Sequence, residues 1–404
     1  MGILQPIVTI VLFFLILGTL VVIHELGHFL AARAAGVRVL EFGIGFPPRA
    51  KVLGRGRVHT ADAAQHDADL AAADARRDVD PDTYEALLEE GPSRTAYTLN
   101  WLPIGGFVKL DGEDGDRADD PRAFSSKSLP VRLFILVSGV VMNVLLAFVI
   151  FTGIVWLASP QVGARFAEVQ PDSPAATAGL QPGETIVAID GQRFQTFVAP
   201  DLIDVLRANA GETVTLTIQT PDGGTREVTA TLRDPAQIDA DHGALGIGQI
   251  EYAYDGSTTT NDLATAIQIG WEQTIRWMGL IIGGLGSLVS AIFTNPTAPP
   301  PVAGPIGIAT QIGDVFFTAG PIFTLFVAGI LSANLAVVNI LPFPPLDGGR
   351  MLMITLKRIF GSRISLRAEQ LTYLVGFVFL FAFIIWVSGF DIVRTLGGGA
   401  PAAP

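Results

Sequence analysis

The sequence predicts a polytopic α-helical membrane protein with four transmembrane helices, a membrane-associated β-hairpin and a small inserted α+β domain. Half of the 404 residues are hydrophobic and 16% are charged, and the apolar residues come in long blocks, a membrane signature. Period-two runs with turn pairs fill one segment between those blocks, which reads as a soluble insertion. The net charge of −12 argues against a nucleic-acid partner. With no cysteine there are no disulfides and no thiolate metal sites, so a zinc ion would have to use His and carboxylate ligands.

The first block, Ile3 to Ile23, is free of charge and long enough to cross a hydrocarbon core of about 30 Å, which takes roughly 20 residues. A secretory signal is the rival reading, since Ala31-Ala32-Arg33-Ala34-Ala35 offers small residues. It fails for want of a basic n-region, on the length of the apolar run, and on the polar residues that close it.

Those residues are His24-Glu25-Leu26-Gly27-His28. Helical positions four apart stack on one face, so His24 and His28 can aim two ring nitrogens at one ion with Glu25 beside them, the H-E-x-x-H zinc arrangement. Neutral imidazoles hold zinc without cancelling its charge, and a carboxylate takes the proton from water, so Glu25 is the candidate general base. Two satisfied helix histidines are the alternative, weakened by the expense of ionisable groups in apolar helices.

Six basic residues between Arg33 and Arg57 face the single acid Glu41, so the positive-inside rule puts the far end of this helix in the cytosol. Val39 to Phe46 and Thr98 to Leu110 read as short strands with Gly43, Gly45, Gly105 and Gly106. Together they form the β-hairpin of a region over 36–110. Between them, 59–92 is rich in Ala and Asp and is expected to be a disordered insertion, with a short helix possible from Asp80 to Glu90. His59 and His66 there are read as solvated, not as a second metal site.

The second span is predicted over 131–158, where Leu133 to Ala158 is uncharged, and returns the chain to the exterior. Asn143 in its middle is either interhelical glue, the preferred reading, or part of an active-site wall. From Ser159 to Asp262, fifteen acids stand against five Arg and no Lys, as fits the non-cytosolic side. The domain itself is placed at 160–234.

Residues 266–293 space Trp271, Ile275, Met278 and Ile282 at helical intervals. An extra crossing here would turn the next helix around and put its end on the wrong face, so this segment is read as an amphipathic surface helix. Gly304-Pro305-Ile306-Gly307 follows, and then the third span, 316–346, ending in Asn339-Ile340-Leu341-Pro342-Phe343-Pro344-Pro345-Leu346-Asp347-Gly348-Gly349. Pro and Gly unwind that end and deliver one carboxylate, Asp347, at membrane depth. Basic residues from Arg350 to Arg367 mark this end as cytosolic too, and 371–390 makes the last span.

Two resemblances rest on these residues. Ser173-Pro174 through Gly179-Leu180, Gly183-Glu184 and Ile189-Asp190-Gly191 closely resemble PDZ domains of bacterial membrane proteases. Such domains bind extended peptides by strand addition, and Val162 to Ala167 is the candidate strand; a mere spacer is the alternative. The order H-E-x-x-H, strand pair, PDZ domain, Gly-Pro-Ile-Gly and Asn-x-x-Pro-x-Pro-x-Leu-Asp-Gly resembles the site-two protease family of intramembrane zinc metalloproteases, in its bacterial RseP-like branch with a single PDZ domain. The resemblance implies a polytopic protein of the bacterial inner membrane with the α+β PDZ domain and both termini on the non-cytosolic side. It implies Zn²⁺ held by His24, His28 and Asp347, Glu25 as base, and Asn334 and Asn339 as candidates for holding substrate. Its partners would be membrane lipid, transmembrane protein or peptide substrates such as anti-sigma factors or remnant signal peptides, and possible peptides at the PDZ domain. A catalytically inactive PDZ-bearing membrane adaptor is the alternative function, and a metal transporter a third.

The residues also argue for Asp347 on their own. Catalytic zinc usually has three protein ligands; His59, His66 and His242 fall in soluble segments, whereas Asp347 ends an uncharged run on the predicted face of the His pair. An Asp-Gly turn at the membrane surface is the alternative.

Overall fold

The computed structural model describes residues 4–55, 95–113, 119–198, 200–239, 242–294, 299–300, 302–361 and 364–396. The insertion expected over 59–92, with His59 and His66, lies outside the described residues. In chain order the elements are α1 (Leu4–Ala34), β1 (Val39–Arg55), β2 (Ala96–Leu110), α2 (Leu129–Ala158), β3 (Ser159–Val169), α3 (Pro174–Thr177), β4 (Thr185–Ile189), β5 (Gln192–Gln195), α4 (Leu202–Ala208), β6 (Thr213–Gln219), β7 (Thr225–Thr231), β8 (Ile247–Thr259), α5 (Leu263–Thr294), α6 (Pro305–Thr318), α7 (Pro321–Asn339), α8 (Asp347–Phe360) and α9 (Leu366–Leu396). They fall into two compact units, Met1–Phe148 with Thr274–Pro404, and Val149–Gln273.

Among the described residues, five helices are long and apolar enough to cross a membrane: Leu4–Ala34, Leu129–Ala158, Leu263–Ala291, Pro321–Asn339 and Arg367–Arg394. Four coincide with the expected spans. The fifth is the helix expected to lie on the surface; it is the least hydrophobic of the set, but it runs unbroken for 32 residues.

In the first unit, α1 ends at Gly36, whose φ of +67° suits a residue without Cβ. The chain then enters a sheet more elaborate than the expected hairpin. β1 continues to Arg55, past Pro47-Pro48, and both strands fold back on themselves. Residues 41–44 pair antiparallel with 106–109 on one side and, with partner numbers rising together, with 96–99 on the other; 51–55 pair antiparallel with 96–99. The order is therefore 106–110, 39–44, 96–100, 49–55. Gly45 at φ +82° and Gly105 at φ +76° sit at the two bends, in the left-handed region that glycine enters without strain.

Beneath the His pair, Phe29, Ala32, Val39, Leu110, Phe124 and Ile135 form one buried cluster, with Leu26, Val108 and Met351 packed against it. That core ties the C-terminal part of α1 to the sheet, α2 and α8. The expected third span is divided. α6 stops at Thr318, Gly320 adopts φ +87° and Pro321 begins α7, so proline and glycine interrupt the apolar run at its start as well as at its end. Asp347 is the first residue of α8, after a non-helical stretch over 340–346, not the last of a span. The Gly-Pro-Ile-Gly motif opens α6, where the buried Asp391 carboxylate of α9 accepts the Gly304 and Gly307 N–H groups at 3.3 and 2.9 Å.

The second unit holds a six-stranded antiparallel sheet in the order β7-β6-β4-β5-β3-β8. It extends past the predicted boundary at 234, because β8 pairs with β3 along its length, from Ser159 with Thr259 to Val169 with Ile247. β3 is thus flanked on both sides, and Val162 to Ala167 offers no free edge; β8 does. Asp190-Gly191 closes the β4–β5 hairpin with both residues at positive φ, as its sequence predicts. Phe166, Ile186, Leu202, Leu216, Ile218 and Leu245 fill the core.

Phe166 is fully buried in that core, so Phe166→Ala should destabilise the second unit by about 3–5 kcal/mol. Limited proteolysis should then cut within 160–262, while zinc content stays at the wild-type level because the His24–His28 region has its own core.

Candidate active site

α1 carries His24 and His28 one turn apart, both buried at 5% exposure. α2 crosses against this face at very close range. A Cβ on Gly27 would collide with the Ser138 carbonyl, and one on Gly139 would stand 2.5 Å from His28 Nε2 and 2.8 Å from His24 Cε1. The two glycines therefore make room for the imidazoles.

Asp347 arrives from the far end of the chain. Gly348 and Gly349 pack against the stretch that precedes them so tightly that a Cβ on either would collide with backbone of Leu341 or Pro344, and Gly376 of α9 packs on Pro344 in the same way. This fold-back turns Asp347 toward α1. Its Oδ2 lies 2.9 Å from His24 Nε2 and 3.3 Å from His28 Nε2, and the two Nε2 atoms are 3.2 Å apart.

Among the described residues, His24, His28 and Asp347 are the group whose ligand atoms converge in this way. Zinc bonds of about 2.0–2.2 Å place tetrahedral ligand atoms roughly 3.3–3.5 Å apart. The observed triangle has nearly those edges, and two imidazoles with one carboxylate are a catalytic zinc donor set, so the residues fit the ion. The structure brings together the three residues that the sequence offered as candidate ligands.

The surroundings orient the donors. His28 Nδ1 donates to the Ile135 carbonyl at 2.8 Å, which leaves Nε2 with its lone pair toward the cluster. His24 Nδ1 faces the Asn143 side-chain amide at 3.1 Å. Glu25 Oε2 accepts the Val108 N–H at 3.1 Å, so the candidate base is tied to the edge segment of the first sheet. Next along that edge the Leu110 N–H meets Glu113 Oε2 at 3.2 Å, and Glu113 Oε1 pairs with Arg350 of α8 at 2.5 Å.

Of the two candidate amides, Asn339 Nδ2 lies 3.5 Å from His24 Nε2, at the rim of the cluster. Asn334 forms no hydrogen bond to the cluster; five residues are about 1.4 helical turns, so the two amides point different ways. Sequence reasoning prefers helix packing for Asn143, whereas its side chain reaches the candidate ligand His24. The available signal was Gly139 and Asn143 one turn apart in the uncharged run from Leu133 to Ala158. The sequence does not mark Glu113, and it offers Arg350 only as a cytosolic charge; their pairing depends on a contact across a long sequence separation.

Gly139→Ala should lower zinc affinity by at least about tenfold, the scale seen when a ligand's surroundings are disturbed. Gly153→Ala, on the same helix at a position with open space around it, should leave affinity unchanged. Chelator competition on the two purified variants reads the difference.

Comparison with known proteins agrees with this geometry. The sequence model of Peptidase family M50 matches residues 12–58 and 85–383. The chain is 29% identical to the zinc metalloprotease RasP of Geobacillus kaustophilus, over 96% of this chain and 98% of that protein. It is 29% identical to a putative zinc metalloprotease of Clostridium perfringens, over 93% and 95% of the two chains, and 26% identical to one of Brucella suis, over 94% and 93%. The chain belongs to Peptidase family M50 and is a zinc metalloprotease.

Proposed function

We propose that this zinc metalloprotease hydrolyses a peptide bond within the membrane-spanning segment of its substrates, with His24, His28 and Asp347 as zinc ligands and Glu25 as general base. The observation that carries the reading is the convergence of three ligand atoms beside span-length helices, one ligand pair six to ten residues before the end of α1 and the third at the start of α8, beyond the end of α7.

The same convergence supports four spans. His24 lies toward the C-terminal end of α1 and Asp347 beyond the C-terminal end of α7, so the two helices run in the same direction and an even number of crossings turns α1 into α7. With α2 as one crossing and α7 as the other, α5 lies at the surface and both termini face the exterior. The region predicted at 160–234, extended to Thr259 by β8, is then an exterior PDZ domain, with β8 as the edge that a peptide would extend.

A substrate helix has its backbone hydrogen-bonded internally and closed to attack, so it must unwind before cleavage. The edge segment 106–110 offers the unwound strand backbone partners beside Glu25. Zinc in this site supplies Lewis-acid polarisation and acidifies water. Glu25 takes the proton from the attacking water and delivers it to the leaving amine, while the Asn339 amide donates to the carbonyl oxygen. Single-span proteins already trimmed outside the membrane, such as anti-sigma factors and remnant signal peptides, are the proposed substrates.

Glu25→Gln keeps the side-chain shape and removes the base, so cleavage of a single-span peptide in detergent should fall about 10² to 10⁴-fold with zinc content intact. Asp347→Asn should lower zinc content and cleavage together. Normal turnover by Glu25→Gln, or full zinc in Asp347→Asn after dialysis against a weak chelator, contradicts the assignment.

Removing residues 162–259, the sheet-bearing part of the second unit, should raise cleavage of substrates with a bulky external domain relative to trimmed ones, if the domain screens by size. An unchanged rate ratio between long and trimmed substrates refutes the screening role.

A further inference from the structure

We propose that Asn143 is the positioning residue that sets the metal-binding tautomer of His24. The inference rests on the reading of His24 as a zinc ligand and extends it to a side chain with no direct contact to the ion.

Asn143 is fully buried in the middle of α2, and its backbone carbonyl accepts the Ser332 hydroxyl of α7 at 2.8 Å. Residue 143 is thus pinned between α2 and α7 with its side chain aimed at α1. His24 turns Nε2 toward Asp347 and His28, so to bind a cation that nitrogen must present a lone pair. A neutral imidazole then carries its proton on Nδ1, and this N–H needs an acceptor.

The Asn143 amide is the group beside Nδ1. In the orientation observed, Nδ2 faces Nδ1 at 3.1 Å and Oδ1, itself buried, has no partner among the described residues. Oxygen and nitrogen of an amide occupy equivalent positions, and a half-turn exchanges them. That turn puts Oδ1 on the Nδ1 proton and satisfies the buried acceptor in one change. The observed orientation suits the other tautomer, in which Nε2–H donates to Asp347 and Nδ1 accepts from the amide.

His28 shows the same device in simpler form. Its Nδ1 meets the Ile135 carbonyl, a group that can only accept, so its tautomer is fixed. α2 therefore orients both imidazoles, from residues 135 and 143, two turns apart. The first contact is permanent and the second is adjustable, because an amide can donate to metal-free His24 and accept from metal-bound His24.

The test is zinc affinity by graded chelator competition on detergent-purified Asn143→Leu, Asn143→Asp and His24→Ala, with helicity and elution volume of the metal-free proteins as fold controls. Asn143→Leu keeps the volume and removes the acceptor, so affinity should drop about 10 to 100-fold with the metal-free fold unchanged. Asn143→Asp can only accept, so it should hold zinc at least as tightly as wild type. Wild-type affinity in Asn143→Leu, or an Asn143→Asp variant as weak as Asn143→Leu, overturns the proposal and assigns Asn143 to packing alone. Should Asn143→Leu lose its fold, Asn143→Ala carries the same expectation. Full affinity in His24→Ala would instead overturn the zinc site itself, and the inference with it.

Discussion

A half-buried carboxylate set against two buried imidazoles is the arrangement on which the rest of the first unit depends. Asp347 and His24 are 323 residues apart in sequence yet meet at 2.9 Å, and a carboxylate taken out of water is strongly disfavoured unless a cation or hydrogen bonds compensate it. Bringing it there requires that α1, α2, α7 and α8 approach more closely than ordinary side chains allow. Gly27 and Gly139 supply that closeness between α1 and α2, and Gly348, Gly349 and Gly376 supply it around the loop that carries Asp347. The Asp347-Gly348 pair thus combines two features: a proposed ligand, and a backbone that can fold back far enough to present it.

The chemistry was more legible in the sequence than the architecture around it. His24, Glu25 and His28 declare themselves by spacing, since helical periodicity alone puts the two histidines on one face. Asp347 is legible because an uncharged run of 32 residues leaves few other carboxylates at that depth. The third span was drawn too long, because composition shows the apolar run but not the φ of +87° at Gly320 that breaks it. The sheet defeats local reading for a different reason. Strand patterns identify 39–46 and 98–110, but nothing local states that each strand bends and pairs twice, or that Arg55 belongs to the ladder. In the second unit β8 was left out because its alternation is weak, and its place beside β3 is fixed by long-range pairing.

Asn143 shows the same limit at a single residue. A lone amide in an apolar helix has two physical uses, to bind a neighbouring helix or to serve a site, and periodicity cannot separate them. Here one residue does both through different atoms: its carbonyl holds Ser332 and its amide faces His24. The two readings were never exclusive.

The edge segment of the first sheet is joined directly to Glu25, the proposed base. Val108 directs its N–H away from its partner strand and onto Glu25, and Leu110, on the same side two residues later, directs its N–H onto Glu113. Strand alternation makes these two outward N–H groups the ones that an added strand would use. The groups that would receive an unwound substrate therefore hold two carboxylates, one of them the proposed base. Gly105 and Gly106 set the same segment against Val21 and Val22 of α1, and Glu113 fastens it through Arg350 to the helix that begins with Asp347. Strand edge, proposed base and the three proposed ligand residues are thus parts of one connected framework, the rigidity such a site would need. On the proposed reading, a substrate strand that pairs along 106–110 would compete with Glu25 for the Val108 N–H.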